Sequence, residues 1–444
     1  MNKRVGIMTL GCRVNQYETQ ACQEIFEAHG YRACPPEPGL DAYFLNTCSV
    51  TGESDRKSRQ AMNRLLGFSR ENGAPVIVCG CHVQAGQEIE YRPNLFVCGN
   101  ADKAAFVEQV LAGQAPQKCI PRREDMHAYY PMTVSKCKNT RAYVKIEDGC
   151  DNFCTYCIVA HVRGPVRSRP KEQVLDEVKL LAKNGYREVV LTGIETSFYG
   201  KDLEENYDLA DLARDVGEIA GIQRIRFGSL RPTLFTEDFC QRLSQNPKVM
   251  PHFHLSVQSG SNKVLWTMGR NYTREDVLRV FENVRRYFKT PTFGADVICG
   301  FPGEAQEDFD LSADLIEKGG FLHTHIFPYS QRPGTPAAQI RPQIDVSLRK
   351  QRSTQLIRFA ERIAKETLLD HVGIPTGILV ETLEGKYAYG YTDGFIYTKF
   401  ENRHQLLPGD ITQVTLTDQM QKKRGLWCVL GRENADKASI IKEK

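Results

Sequence analysis

Nowhere in the 444 residues is there an apolar run long enough to cross a bilayer, which takes about 20 consecutive apolar residues. The opening stretch "MNKRVGIMTLGC" starts basic, but its apolar run is too short for a secretory signal. A cytoplasmic protein with no membrane association is therefore expected. A P-loop and a metallohydrolase histidine motif are both missing, which argues against hydrolase chemistry. Charge excess is small as well: a net +4 does not by itself establish a nucleic-acid partner. The basic residues are instead bunched in "RGPVRSRPKE" (163–172), "QRIRFGSLRP" (223–232) and "QKKRG" (421–425). Such runs usually mark solvated faces; phosphate binding is the sharper reading.

Cysteine, in contrast, is plentiful. Fifteen in a large chain without an export signal do not suit a disulfide framework, since the cytosol keeps thiols reduced. Clustered thiols point to metal or redox chemistry. The isolated Cys22, Cys34, Cys119, Cys137, Cys240 and Cys428 read as small core residues.

The length favours two or three domains. Residues 1–135 alternate short apolar runs ("RVGIMTL", "DAYFLNT", "APVIVCG", "NLFVCG") with helical stretches. That pattern predicts a doubly wound parallel α/β sheet. Cys12, Cys48, Cys81 and Cys98 fall at or just past strand ends, where open α/β sheets bind ligands. Cys79 lies two residues before Cys81, so alternation puts both on one strand face. On the residues alone, Cys79 and Cys98 remain candidates for ligation.

Residues 136–371 repeat the βα pattern six times, from "AYVKIEDG" to "THIFPYS", and predict a partial (βα)6 barrel closed by a bridging helix near 346–371. Residues 372–433 turn strand-like and glycine-punctuated, as in a small antiparallel β-barrel of an RNA-binding kind. Tyr387, Tyr389, Tyr391, Phe395, Tyr397 and Phe400 offer stacking platforms for bases, alternate ones pointing into the barrel core. Residues 434–444 read as a polar tail.

"CDNFCTYC" (150–157) follows the first barrel strand, where barrel chemistry belongs. Its spacing is Cys-x3-Cys-x2-Cys. Zinc would need a fourth ligand, for which His161 is the candidate, and would make the chain a non-catalytic zinc RNA-binding protein. Three thiolates suit a 4Fe–4S cube with one open iron better.

This spacing resembles the signature of radical S-adenosylmethionine enzymes. The resemblance implies that the open iron chelates the methionine end of S-adenosylmethionine and that reductive cleavage yields a 5′-deoxyadenosyl radical. "LTGIE" (191–195) is similar to that superfamily's ammonium-binding motif, so Gly193 and Glu195 are expected to bind the cofactor. "HLSVQSGS" (254–261) and "GADVICGFPGE" (294–304) resemble its ribose- and adenine-lining segments, which adds Ser256, Gln258 and Asp296.

Over nearly its whole length the chain resembles the methylthiotransferases. "TLGCRVNQYE", "NTCSV" and "VCGCHVQ" look like the family's three N-terminal motifs. They imply a second 4Fe–4S cluster on Cys12, Cys48 and Cys81, with Cys79 and Cys98 as bystanders, and a C-terminal TRAM barrel. Three departures from the family pattern stand out: Arg231 where an acid is common, Ser256 where proline is frequent, and Cys299 where an aliphatic residue is usual. "CRVNQYET" is similar to the branch that acts on N6-threonylcarbamoyladenosine beside the tRNA anticodon. The branches acting on isopentenyladenosine and on a ribosomal-protein aspartate differ after the first cysteine. The resemblance thus implies methylthiolation at adenine C2 of position 37, with the tRNA anticodon stem-loop and a flavodoxin- or ferredoxin-type reductant as partners. Lys422, Lys423 and Arg424 are expected on phosphates.

Overall fold

The first strand, β1 (Lys3–Thr9), turns at Gly11 into a helix over Arg13–Ala28. Five more strands follow: β2 (Tyr31–Cys34), β3 (Ala42–Thr47), β4 (Val76–Gly80), β5 (Leu95–Cys98) and β6 (Lys118–Cys119). All pair in parallel, in the order β2-β1-β3-β4-β5-β6. Period-2 alternation loads both faces. Tyr43, Leu45, Val76 and Val78 pack under the helix Gly52–Phe68, while Phe44, Ile77, Cys79 and Cys98 pack under the helices Arg13–Ala28 and Lys103–Leu111. This computed structural model describes residues 3–86, 89, 92–204, 206–423 and 425–434.

The middle of the chain builds β7 (Arg141–Lys145), a short antiparallel pair β8 (Glu147–Asp148) and β9 (Arg167–Ser168), then β10 (Glu188–Thr192), β11 (Arg224–Phe227), β12 (His252–Gln258), β13 (Thr292–Cys299) and β14 (Phe321–Pro328). Among the described residues, the parallel ladders β7-β10-β11 and β12-β13-β14 are bridged only at Ile225–Val249 and Leu230–Leu255. The result is the expected six-stranded open barrel, with a gap between β7 and β14. The bridging helix spans Val346–Leu369 and buries Leu356, Ala360 and Ile363.

Strands β15 (Pro375–Glu384), β16 (Tyr387–Thr392), β17 (Tyr397–Glu401), β18 (Ile411–Lys423) and β19 (Leu426–Glu433) close into a barrel in the order β15-β16-β17-β19-β18. One pair, β17 with β19, is parallel, so the barrel is not wholly antiparallel as expected. It seats on the N-terminal ends of the larger barrel's strands. Arg226 donates to the carbonyls of Thr392 and Asp393, Thr292 Oγ1 to that of Gly394 at 2.6 Å, and His323 Nε2 to that of Phe395 at 3.0 Å. Among the described residues, no helix is long and apolar enough to cross a membrane.

Candidate functional site

Three adjacent strands of the first sheet, β1, β3 and β4, lead into Cys12, Cys48 and Cys81. Sheet order therefore brings together thiols 36 and 33 residues apart in sequence. Gly11, at φ +95°, is required here, since a Cβ would meet Cys48 Sγ at 2.8 Å. Burial pushes the Cys12 and Cys48 thiols above their ordinary range. Cys79 does not share Cys81's face, contrary to the alternation argument. The strand ends at Gly80, φ +103°, and Cys81 opens a short helical turn. Cys79 and Cys98 are wholly buried in the apolar layer beneath the sheet, whereas Cys81 Sγ accepts from Asn100 Nδ2 at 3.5 Å.

Cys150, Cys154 and Cys157 lie on the loop after β8. Backbone N–H groups of Asn152 and Val159 point at Cys150 Sγ and Cys157 Sγ, both at 3.4 Å, and Arg270 Nη1 at Cys154 Sγ at 3.3 Å. Such donors stabilise sulfur that carries negative charge, as cluster-bound thiolate does. Burial pushes the free thiols up, Cys157 to about 11 and Cys150 to about 12. Ligands on one zinc sit within about 4 Å of one another. Among the described residues, no three of Cys150, Cys154, Cys157 and His161 approach within 4.8 Å. His161 is exposed, its ring against Phe153. Among the described residues, the loop does not bring four zinc ligands together.

Arg163 ties the segment that follows one triplet to a thiol of the other. It begins six residues after Cys157, yet is fully buried, and its Nε reaches Cys81 Sγ at 3.3 Å. Its Nη1 donates to Glu18 at 2.5 Å and its Nη2 to Asn15 at 2.5 Å. Lys145 ties Glu18 to Asp148, at 2.9 and 2.6 Å, and Lys103 closes on Glu18 as well. Burial would raise the Glu18 carboxyl, but Arg163, Lys103 and Lys145 hold it well below the usual range. Asp148 is held at about 2 against its burial by Lys145, Arg163 and Arg167. These arginines correct two expectations at once. Arg163, Arg167 and Arg169, and likewise Arg224, Arg226 and Arg231, are neither solvated nor free for phosphates. They are interior, because buried Glu18, Asp148, Glu177 and Glu188 need partners.

The cofactor candidates line the rim beside the Cys150 loop. Glu195 gives its N–H to Glu147 Oε2 at 2.8 Å and faces Arg231 at 3.9 Å. Gly193 lets the loop pass the Glu147 carboxylate, into which a Cβ would run. Burial raises the carboxyls of Glu147 and Glu195, and Glu147 Oε1 has no partner among the described residues. An orphaned, buried carboxylate oxygen is an ammonium-accepting feature, so the rim fits the methionine end of S-adenosylmethionine. Ser256 contributes its carbonyl, which Arg270 and Tyr272 both donate to, and Gln258 adopts φ +69° at a bulge in β12. Asp296 is engaged with His254 Nε2 and His325 Nδ1, each at 3.1 Å. Sequence reasoning missed Glu147, Arg163, Arg270 and the two histidines. Only topology makes them neighbours, and nothing in local spacing signals it.

The aromatic residues of the C-terminal barrel are largely spoken for. Tyr389, Tyr397 and Phe400 are buried. Tyr391 and Phe395 stack on each other at 4.4 Å, and Phe395 stacks on His252 at 4.8 Å, so they floor the larger barrel. Of this set only Tyr387 is left, half-buried and under the Lys399 ammonium. Lys422 pairs with Glu361 at 2.8 Å and Lys423 with Glu384. Arg424 and the tail beyond Asn434 lie outside the described residues.

Comparison with known proteins agrees with this architecture. Residues 144–316 match the Radical SAM superfamily, and residues 4–97 match the Uncharacterized protein family UPF0004. The threonylcarbamoyladenosine tRNA methylthiotransferase MtaB of Bacillus subtilis is 35% identical over 425 residues, 93% of each chain. The tRNA-2-methylthio-N(6)-dimethylallyladenosine synthase of Carboxydothermus hydrogenoformans is 36% identical over 384 residues, 84% of this chain and 87% of that protein. In fold, the chain resembles the radical S-adenosylmethionine methyltransferase TsrM of Kitasatospora setae, with a TM-score of 0.57 at 13% identity, covering 81% of this chain and 89% of that one. Two cysteine-bearing strand rims and relatives aligned almost end to end lead to one conclusion: the chain belongs to the tRNA methylthiotransferase family of radical S-adenosylmethionine enzymes.

Proposed function

We propose that this protein adds a methylthio group to C2 of N6-threonylcarbamoyladenosine at position 37 of tRNA, as a cytoplasmic enzyme served by a flavodoxin- or ferredoxin-type reductant. In this reading, residues 1–135, 136–371 and 372–433 act as cluster domain, radical barrel and RNA-holding barrel. The observation that carries it is the buried Arg163, which lies just past the Cys150 loop in the chain and places its Nε 3.3 Å from Cys81 of the other triplet.

Cys150, Cys154 and Cys157 would hold one 4Fe–4S cluster, and Cys12, Cys48 and Cys81 a second. Bound there, the clusters and S-adenosylmethionine would supply a carbon radical and the sulfur to be transferred. An aromatic C–H offers no useful acidity, so the protein's own task is binding, orientation and exclusion of water. Glu195 and Glu147 would receive the cofactor's ammonium, with Gly193 keeping the loop open. Ser256, Gln258 and Asp296 would border its nucleoside end. The C-terminal barrel would grip the anticodon stem-loop, and the target base would leave its stack at a cost of a few kcal/mol.

The test is nucleoside analysis of tRNA from cells lacking the chain. Loss of methylthio-threonylcarbamoyladenosine, restored by the gene, is expected. Loss of methylthio-isopentenyladenosine instead would support the activity named for the Carboxydothermus relative. No change in either would defeat the proposal.

A further inference from the structure

A cavity of about 190 Å³ opens in the lumen of the large barrel, lined from β7, β10, β11, β12 and β14 and floored by Tyr391 and Phe395. Its cations are nearly all matched. Arg141 meets Glu381 at 2.9 Å, Arg226 meets Glu188 at 2.9 Å, and His254 and His325 share Asp296. Arg13 is the exception. It also lines the cavity, half-buried, with its guanidinium 5.9 Å from the Tyr143 ring centroid. Among the described residues, no carboxylate lies within ion-pair distance of it. It opens the helix Arg13–Ala28 and directly follows Cys12.

A guanidinium withdrawn from bulk water without a counter-charge favours an anionic ligand. Its planar fork matches a carboxylate in two parallel hydrogen bonds. The two nucleosides at issue differ in this respect. N6-threonylcarbamoyladenosine ends in a free carboxylate; isopentenyladenosine ends in hydrocarbon. Percent identity alone does not separate them, at 35% over 93% of the chain and 36% over 84%. A backbone phosphate is the other anion on a tRNA. It stays outside when a base is extruded, while the N6 substituent travels in with the base.

Resting on the proposed function, we infer that Arg13 reads the threonine carboxylate and is the specificity-determining residue of the site. The test uses the cluster-loaded full chain and anticodon stem-loops that differ only at position 37: N6-threonylcarbamoyladenosine, its methyl ester, and isopentenyladenosine. Binding constants and kcat/KM are measured for the wild type, Arg13→Gln and Arg13→Lys. Esterification is expected to lower wild-type kcat/KM on the order of 100-fold and to weaken binding. Arg13→Gln should lose a similar factor on the acid and no longer distinguish acid from ester. Arg13→Lys, with the charge but not the fork, should fall between.

Equal wild-type handling of acid and ester would overturn the inference. So would an Arg13→Gln protein that still prefers the acid, or one weakened equally on all three RNAs, which marks a phosphate contact. If Arg13→Gln fails to load iron, the wild-type comparison and Arg13→Lys decide. A wild type inert on the acid but active on isopentenyladenosine would defeat the functional reading itself, a separate outcome.

Discussion

Arg163 Nε lies 3.3 Å from Cys81 Sγ, although the two residues belong to separate helical turns and stand 82 positions apart. Removing this guanidinium leaves Glu18 and Asp148 with fewer positive partners in a dry interior. Breaking one partner of such a set costs about 3–5 kcal/mol. Arg163→Met should lower the melting temperature steeply and release iron from the Cys12, Cys48 and Cys81 triplet first. Iron analysis and electron paramagnetic resonance would read this; a variant with unchanged iron and signal counts against the coupling.

The thiols can be sorted by iron content alone. Cys12→Ala, Cys48→Ala and Cys81→Ala should each lower bound iron by one cluster's worth, measured after anaerobic purification. Cys79→Ala and Cys98→Ala should keep full iron and lose only packing, because both thiols sit in the apolar layer beneath the sheet. Iron loss in Cys79→Ala would reassign the ligand set.

Gly193→Ala should be disproportionately harmful for one added methyl. The new Cβ runs into the Glu147 carboxylate, and overpacking of this kind costs roughly 1–3 kcal/mol. Thermal melts would show the loss. Equilibrium binding of S-adenosylmethionine should weaken in parallel if the rim receives its ammonium group.

Acid should loosen the seat of the C-terminal barrel. Burial lowers His323 to about 4, and it stays neutral while donating to the Phe395 carbonyl. The unfolded chain would bind that proton near pH 6.5. The stability contributed is therefore complete above about pH 6.5 and is lost as pH falls toward 4. His323→Gln, which keeps a donor but does not titrate, should flatten the melting temperature against pH in that window.

Much of the architecture was legible because it is written in short-range periodicity. Short apolar runs announce β1, β3, β4 and β5, while the four-residue β2 goes unannounced, and the Cys-x3-Cys-x2-Cys loop states its chemistry in eight residues. What stayed hidden depends on partners brought in from afar. Arg163 and Arg226 look like surface charge until Glu18 and Glu188 are placed beside them. Tyr391 and Phe395 look like base platforms until the strand ends of the larger barrel are seen to rest on them. The choice between Cys79 and Cys81 turns on Gly80, whose left-handed turn ends the alternation one residue before the second thiol.

The seating of the small barrel on the strand ends gives Phe395 and Tyr391 a second office. The part of the chain proposed to hold RNA is also the floor of the larger barrel's lumen. A truncated enzyme lacking residues 372–433 would not simply bind tRNA less well; its lumen would be uncorked from below. Solvent would enter the lumen past the strand ends that Tyr391 and Phe395 now cover.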